Sequence, residues 1–456
     1  MKINKLAKWF IILLVVIIMP ALSCDKDKDN YSGTENPFDI ELDNENLVRN
    51  KIVVISDLHL GADLSYSECV HHLPRLTQFL TEIRESKTVK ELVIAGDMLD
   101  EWYVPSRNDT YEGKTQKEFI QKIATKNKSV IDALNAIIKE GQIKVTYTPG
   151  NHDLVVLKEN VSLILPGINQ ARDVDRLGIG TYNPDGYPQI AIEHGHRYDF
   201  FCSPDPYGNQ DIAPGSILPP GYFFTRIAVN SILNPPLPDE IFPVRDVTLN
   251  SSDDAQKNSY IYYLTWKTVL GNLIPVKDNF DDKIIVTNID KFKDTYSIND
   301  ILPYNTENGS IKTKLFDASF NQQTWEKRLT YNNVPVMSQL KDAIPGSLYT
   351  AFLDEQSNTQ YFQNEKSNVR IVVFGHTHIP MIKSYTNKKN EACLYVNSGT
   401  WIDKKVKGTA AVNQDVENMD FVIIAPQSVD QNMMKVERFK YHEGKHLSME
   451  SKSIRL

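Results

Sequence analysis

Short apolar runs recur along the chain, and five of them stop at side chains able to bind cations or carry protons. Ile52–His59 (IVVISDLH), Glu91–Trp102 (ELVIAGDMLDEW), Ile143–Asp153 (IKVTYTPGNHD), Gln189–His196 (QIAIEHGH) and Val369–His378 (VRIVVFGHTH) each read as a hydrophobic strand ending in Asp, Asn or His. In the second of these, Gly96 lets the backbone turn so that Asp97 projects past the strand end, which places a carboxylate at the rim of a sheet and not in a core. Ligands of open α/β sheets bind outside the carboxyl ends of the strands, so one crevice is expected to collect all five ends.

Between the strands the period changes. Leu76, Phe79, Leu80 and Ile83 fall at helical spacing within Leu73–Glu85 and predict a helix that makes Lys51–Asp97 a right-handed βαβ unit. His71 and His72 just before it read as a solvated loop. Lys117–Glu140 carries a second helical pattern closed by Gly141, a C-cap candidate. From Phe200 to about Asn368 the pattern shifts to Pro-rich joints, many aromatics and short helical segments, among them Tyr222–Leu233, Tyr260–Leu273 and Leu340–Leu353. That stretch reads as an insertion, a lid whose aromatics form its own small core. Met381–Tyr385 and Ala392–Val396 then predict a hairpin, and Phe421–Ala425 and Met434–Tyr441 further antiparallel strands. The expected division is a leader (1–23), a flexible tether (24–49), a main domain (50–200 and 369–456) and a lid (201–368).

Composition changes this picture little: 456 residues, 41% apolar and 24% charged, are ordinary for a globular protein. A net charge of −8 argues against nucleic acid, since a polyanion needs a basic surface. The N-terminus adds more. Lys2, Lys5 and Lys8 precede an apolar segment, Trp9–Leu22, which is long enough for a signal h-region but short of the roughly 20 residues of a membrane span. Ala21-Leu22-Ser23-Cys24 resembles the lipobox of a bacterial lipoprotein, which would leave a lipidated Cys24 at the cell envelope, on the periplasmic face or the cell surface, followed by the charged Asp25–Asp29. The remaining Cys69, Cys202 and Cys393 show no CxxC spacing, so no disulfide framework or structural zinc is expected.

The ligand set at the five strand ends is imidazole, carboxylate and amide oxygen without thiolate. It suits Mn²⁺ first, with Fe or Zn²⁺ as alternatives. Asp57-Leu58-His59, Gly96-Asp97-Met98-Leu99-Asp100, Gly150-Asn151-His152-Asp153, His194-Gly195-His196 and Gly375-His376-Thr377-His378, in this order, resemble the calcineurin-like metallophosphoesterase superfamily over roughly Lys51–His196 and Val369–Trp401. The resemblance implies a double β-sheet sandwich flanked by helices, an α/β fold, with two divalent metal ions. Matched position by position, Asp57, His59 and His378 would hold one ion, Asn151, His194 and His376 the other, and Asp97 would bridge them. His152 would act on the leaving group or phosphate, with Asp153 as its orienting partner. Asp100 and His196 would sit behind the ligands and orient them; for His196 direct ligation is the competing role.

The Gly96–Trp102 run with the His194-Gly195-His196 element is similar to the branch that includes UDP-2,3-diacylglucosamine pyrophosphohydrolase, from which the chain departs by having His152 where Arg is typical and by its longer insertion. The expectation is a hydrolase of a phosphomonoester, diester or pyrophosphate bond, working by a metal-bridging hydroxide on a phosphorylated small molecule or lipid. The competing readings are a protein phosphatase and a non-catalytic envelope lipoprotein that binds through the same fold.

Overall fold

The structure, a computed structural model, describes residues 33–34, 36–39, 48–403, 405–407, 410–412, 419–427, 430 and 432–456. The predicted leader, Cys24 and most of the predicted tether lie outside these residues.

Alternation within the apolar runs builds two layers at once. In the strand Lys51–Ile55, Ile52 and Val54 join one cluster while Val53 and Ile55 join another, and Val93 against Leu92 and Ile94 repeat the split in Val89–Ala95. Successive strand residues point to opposite faces, so each strand feeds both sides of its sheet. The larger sheet runs in the order Gly33–Thr34, Lys445–Arg455, Met433–His442, Asp420–Pro426, Lys51–Ile55, Val89–Ala95, Lys144–Thr148, Asn169–Gln170. Its last four strands are parallel and its others antiparallel. A second sheet orders Met381–Thr386, Ala392–Asn397, Ile371–Phe374 and Ile190–Ile192. Ile52, Val54, Val93 and Ala95 of the first sheet and Ile190, Ile192, Ile371, Val373 and Val396 of the second share one buried cluster, so the sheets pack on each other. The opposite face of the first sheet packs with Leu76, Phe79, Leu80 and Ile83 of the helix Leu73–Glu85 and with Val130, Leu134 and Ile137 of Lys128–Glu140. The five ligand-bearing strand ends therefore come from two sheets, three from one and two from the other, and not from one open sheet.

Several expectations change in detail. Lys117–Glu140 is two helices, Gln116–Lys126 and Lys128–Glu140, because buried Asn127 leaves helical geometry and its side chain donates to the carbonyls of Gly61 and Ile123. Leu340–Leu353 likewise divides into Leu340–Gly346 and Thr350–Asp354. His72 is buried, its Nδ1 3.0 Å from the Trp401 carbonyl, whereas His71 is exposed. Phe38, inside the predicted tether, is fully buried against Phe79, Phe421 and His446.

The strands Ile190–Ile192 and Ile371–Phe374 are hydrogen-bonded neighbours, Ile190 opposite Ile371, although 178 residues separate them in the chain. The stretch between them contains the helices Pro220–Leu233, Asp254–Asn272 and Gln322–Tyr331. Its aromatics do not form a core apart. Phe200, Phe201, Tyr222, Tyr262 and Phe320 belong to the same cluster as the helix-facing side of the first sheet, and only Val247, Tyr263 and Ile311 form a separate small one. Arg226, fully buried, ties the helix Pro220–Leu233 to the loop after Trp102 by donating to the carbonyls of Val104, Pro105, Ser106 and Asn108. A buried guanidinium needs such partners, and here it acts as a clasp between segments distant in sequence.

Candidate metal centre

Parallel register brings the strand ends together. Ile55 pairs with Ile94 and Ala95 with Thr148, so the residues that follow, Asp57, Asp97 and Asn151, emerge side by side from adjacent strands about 4.8 Å apart. Past the strands the pairing continues, with Asp57 N–H donating to the Gly96 carbonyl at 3.1 Å and His59 N–H to the Asp97 carbonyl at 2.9 Å. Ile192 pairs with Val373 in the second sheet and aligns His194 with the Gly375–His378 turn in the same way.

Five of these residues adopt left-handed backbone: Asp57 (φ 54°), His59 (45°), Asp97 (49°), His376 (66°) and His378 (59°). None is glycine, and such conformations cost of order 1 kcal/mol or more each, persisting where the surroundings fix them. Close approach is built in as well. A Cβ on Gly150 would lie 2.0 Å from Asp97 Oδ1, so only glycine lets that turn pass the carboxylate.

The side chains converge. His378 Nε2 lies 3.0 Å from Asp57 Oδ1, and Asp57, His59 and His378 place one ligand atom each within 4.8 Å of one another. Asp97 Oδ2 lies 3.1 Å from His194 Nε2 and 3.6 Å from His59 Nε2, and Asn151 Oδ1 is 3.1 Å from His194 Nε2. Asp57, Asp97 and His194 form a second group within 4.8 Å. Asp57, His59, Asp97, Asn151 and His194 are all buried. His376 stands beside His194, ring centroids 5.2 Å apart, and its backbone N–H donates to Asp57; its Nε2 faces Asp199 Oδ2 at 3.0 Å.

The donor set fits cations. His59 Nδ1 sits 3.0 Å from Asp100 Oδ2, a carboxylate that can only accept, so the neutral ring keeps its lone pair on Nε2. Among the described residues that Nε2 is buried without a hydrogen-bond partner, between the carboxylates of Asp57 (3.9 Å) and Asp97 (3.6 Å). An orphaned lone pair flanked by buried carboxylates is what a metal ion satisfies and what a hydrophobic core would not tolerate. Electrostatics agree. Burial opposes ionisation of Asp57 and Asp97, yet the surrounding imidazoles outweigh it and hold both carboxyls well below their usual range. Burial likewise opposes charge on His194, but Asp97 and Asp57 lift its pKa to about 9. The cluster as a whole favours positive charge.

Behind these residues the structure redistributes the predicted roles. Asp153 does not orient His152. Its Oδ2 accepts the N–H groups of Met98 (2.9 Å) and Leu99 (3.1 Å) and its Oδ1 that of Gly150 (2.7 Å), so it fixes the turns that carry Asp97 and Asn151. Asp100 takes the orienting place, with Oδ1 2.9 Å from His152 Nδ1 and Oδ2 on His59. Adjacency in sequence pointed to Asp153, but the turn sends the side chains of neighbours 152 and 153 to different partners. His196 packs behind His194, ring centroids 5.3 Å apart, and donates from Nε2 to the Gly178 carbonyl; it reaches none of the clustered donor atoms.

Two residues were missed. Asp199 holds His376, and its signal was weak: a carboxylate three residues past His196 in the same loop. Glu68, whose Oε2 lies 3.3 Å from His59 Nδ1, had no signal at all. Beside the cluster opens a cavity of about 230 Å³ whose lining includes Asp97, Asn151, His152, His376 and His378.

Residues 50–219 match the family model described as Calcineurin-like phosphoesterase, reaching past the predicted domain edge at residue 200 but leaving out His376 and His378. The expected α/β arrangement, two packed sheets with flanking helices, is present in this chain. No curated protein matches it. Among solved structures it is similar to NAD nucleotidase of Haemophilus influenzae, at 10% identity and a TM-score of 0.28 over 89% of this chain and 56% of that one. It is also similar to the 5'-nucleotidase precursor of Thermus thermophilus, at 10% identity and a TM-score of 0.27 over 89% of this chain and 54% of that one. The chain thus spans about half the length of these structures.

Proposed function

We propose that this protein is a metal-dependent phosphoester hydrolase with two divalent cations. The observation that carries the reading is the position of Asp97 Oδ2, 3.1 Å from His194 and 3.6 Å from His59, between the two sets of donors. Asp57, His59 and His378 would hold one ion, Asn151, His194 and His376 the other, and Asp97 both. Oxygen and imidazole donors suit Mn²⁺ first, then Fe or Zn²⁺. Bound there, the ions supply Lewis acidity, making water nucleophilic near neutral pH and neutralising phosphoryl charge.

The chain's own residues do the rest. Asp100 and Asp199 fix the rings of His59 and His376 from behind. His152 lines the cavity, and because Asp100 holds its Nδ1, its Nε2 is left to pass a proton to the departing alkoxide. Burial opposes charge on His152, but Asp100 outweighs it and raises its pKa above the ordinary value, which suits an acid. Residues 50–200 and 369–456 form the catalytic unit in this reading, and 201–368 a cap whose side chains close the cavity. The N-terminal basic residues, apolar segment and Cys24 support attachment at the cell envelope. Cys24→Ser would then abolish incorporation of a palmitate analogue.

The test is hydrolysis of 4-nitrophenyl phosphate and bis(4-nitrophenyl) phosphate with added Mn²⁺. Wild type turns over at least one of them, and Asp97→Asn is slower by at least about 100-fold and binds fewer than two ions per chain. Two full equivalents of metal retained by the variant, with undiminished turnover, would reject the assignment.

A further inference from the structure

The lining of the cavity beside the metal centre is of two unlike kinds. One is the cluster already described. The other is a wall of Trp102, Phe201, Phe224, Trp266, Val269 and Leu348, all but Trp102 from the stretch 201–368. Among the described residues that line the cavity none is Lys or Arg. Arg226, one residue from the lining Thr225, is committed to backbone carbonyls of the loop after Trp102. The hydroxyls in the wall have already given their protons to hydrogen bonds. Thr225 donates to the Gly221 carbonyl at 3.0 Å, Thr265 to Ile261 at 3.1 Å and Ser347 to Ala343 at 2.9 Å, each to its own helix.

From this wall, and resting on the hydrolase reading above, we infer that the substrate is a phosphoester whose organic group is compact and apolar, aryl or branched alkyl, with one phosphoryl group and no further charge. A second phosphate would lose its water without meeting a cationic side chain, and a polyhydroxylated sugar would face mostly apolar surface. Burying hydroxyls or an anion without partners is costly. An aromatic ring meets indole and phenyl faces instead, which favour it beyond simple burial. The volume, about 230 Å³, falls below the usual 300–1,000 Å³ of small-molecule sites and favours a small group against this wall.

Benzyl phosphate and glucose 6-phosphate test this, because both release a primary alkoxide and differ chiefly in the polarity of the group attached. With Mn²⁺ present, kcat/KM for benzyl phosphate is expected to exceed that for glucose 6-phosphate at least about 30-fold, mostly through KM. Benzylphosphonate, which cannot be hydrolysed, is expected to change the tryptophan fluorescence, while inorganic phosphate at the same concentration does not. Leu348→Arg, at the half-exposed rim, is expected to narrow the preference about tenfold without loss of fold. Equal kcat/KM for the two esters, with 4-nitrophenyl phosphate still hydrolysed, would overturn the inference and leave the hydrolase reading standing. No turnover of any ester by the metal-loaded protein would overturn both.

Discussion

Asp153 accepts three backbone N–H groups while His152, its neighbour, presents its ring to the cavity, and the two carboxylates nearest them divide the work accordingly. Replacing His152 by Ala is expected to leave metal content intact and lower kcat by about 10²–10⁴, the usual worth of a positioned acid. Asp153→Asn is expected to act on stability, costing about 1–3 kcal/mol in denaturant unfolding, because an amide nitrogen would face donors now satisfied by a carboxylate. Metal analysis, kcat and unfolding measured on both variants separate these effects. A matching kcat loss for Asp153→Asn with unchanged stability would restore it to the catalytic role its sequence position suggested. One further carboxyl titrates in a useful window. Burial pushes Glu101 up to about 8, against contacts from Tyr111 and Gln116 that work the other way. A carboxyl raised in the folded state stabilises it fully below the unfolded value, near 4.5, and that contribution is lost as pH rises through about 8. Glu101→Gln is therefore expected to flatten the fall in stability between pH 4.5 and 8, as read by urea unfolding across that range.

At the scale of elements, the strands and most helices followed from periodicity because their faces are sharply one-sided. Leu73–Glu85 has the predicted bounds, and the strands Lys51–Ile55 and Lys144–Thr148 begin within a residue of the runs Ile52–His59 and Ile143–Asp153. Where a tertiary partner competes with local pattern the reading failed. Asn127 breaks a helix because the Gly61 carbonyl, 66 residues away, accepts its side chain. Lys445–Arg455 carries too few apolar residues to announce a strand, and its pairing with Met433–His442 makes it one. Phe38 sits in a polar stretch that reads as tether, yet its ring fills the space between Phe79, Phe421 and His446. Phe38→Ala is expected to cost about 3–5 kcal/mol in unfolding free energy. A loss under about 1 kcal/mol would show that this segment is a tether after all.

For the whole molecule, two sheets and a long intervening stretch meet at one cavity, and the sequence by itself determined what chemistry could assemble there. Five strand ends with Asp, His and Asn are local facts: an apolar run, a turn and a polar terminus need only neighbours in the chain to be read. Those local facts marked Asp57, His59, Asp97, Asn151, His194, His376 and His378 as candidate ligands, but taken alone they implied one open sheet; the two-sheet fold class was implied by the resemblance of the motif series to a known superfamily. Only the tertiary structure decided how they are held. That Asp100 serves both His59 and His152, that Asp199 holds His376, and that Trp266 and Phe224 wall the cavity all depend on contacts between segments far apart in sequence. Side-chain direction past a turn and the packing of distant helices are set by the sum of many contacts, and no short run of residues encodes that sum.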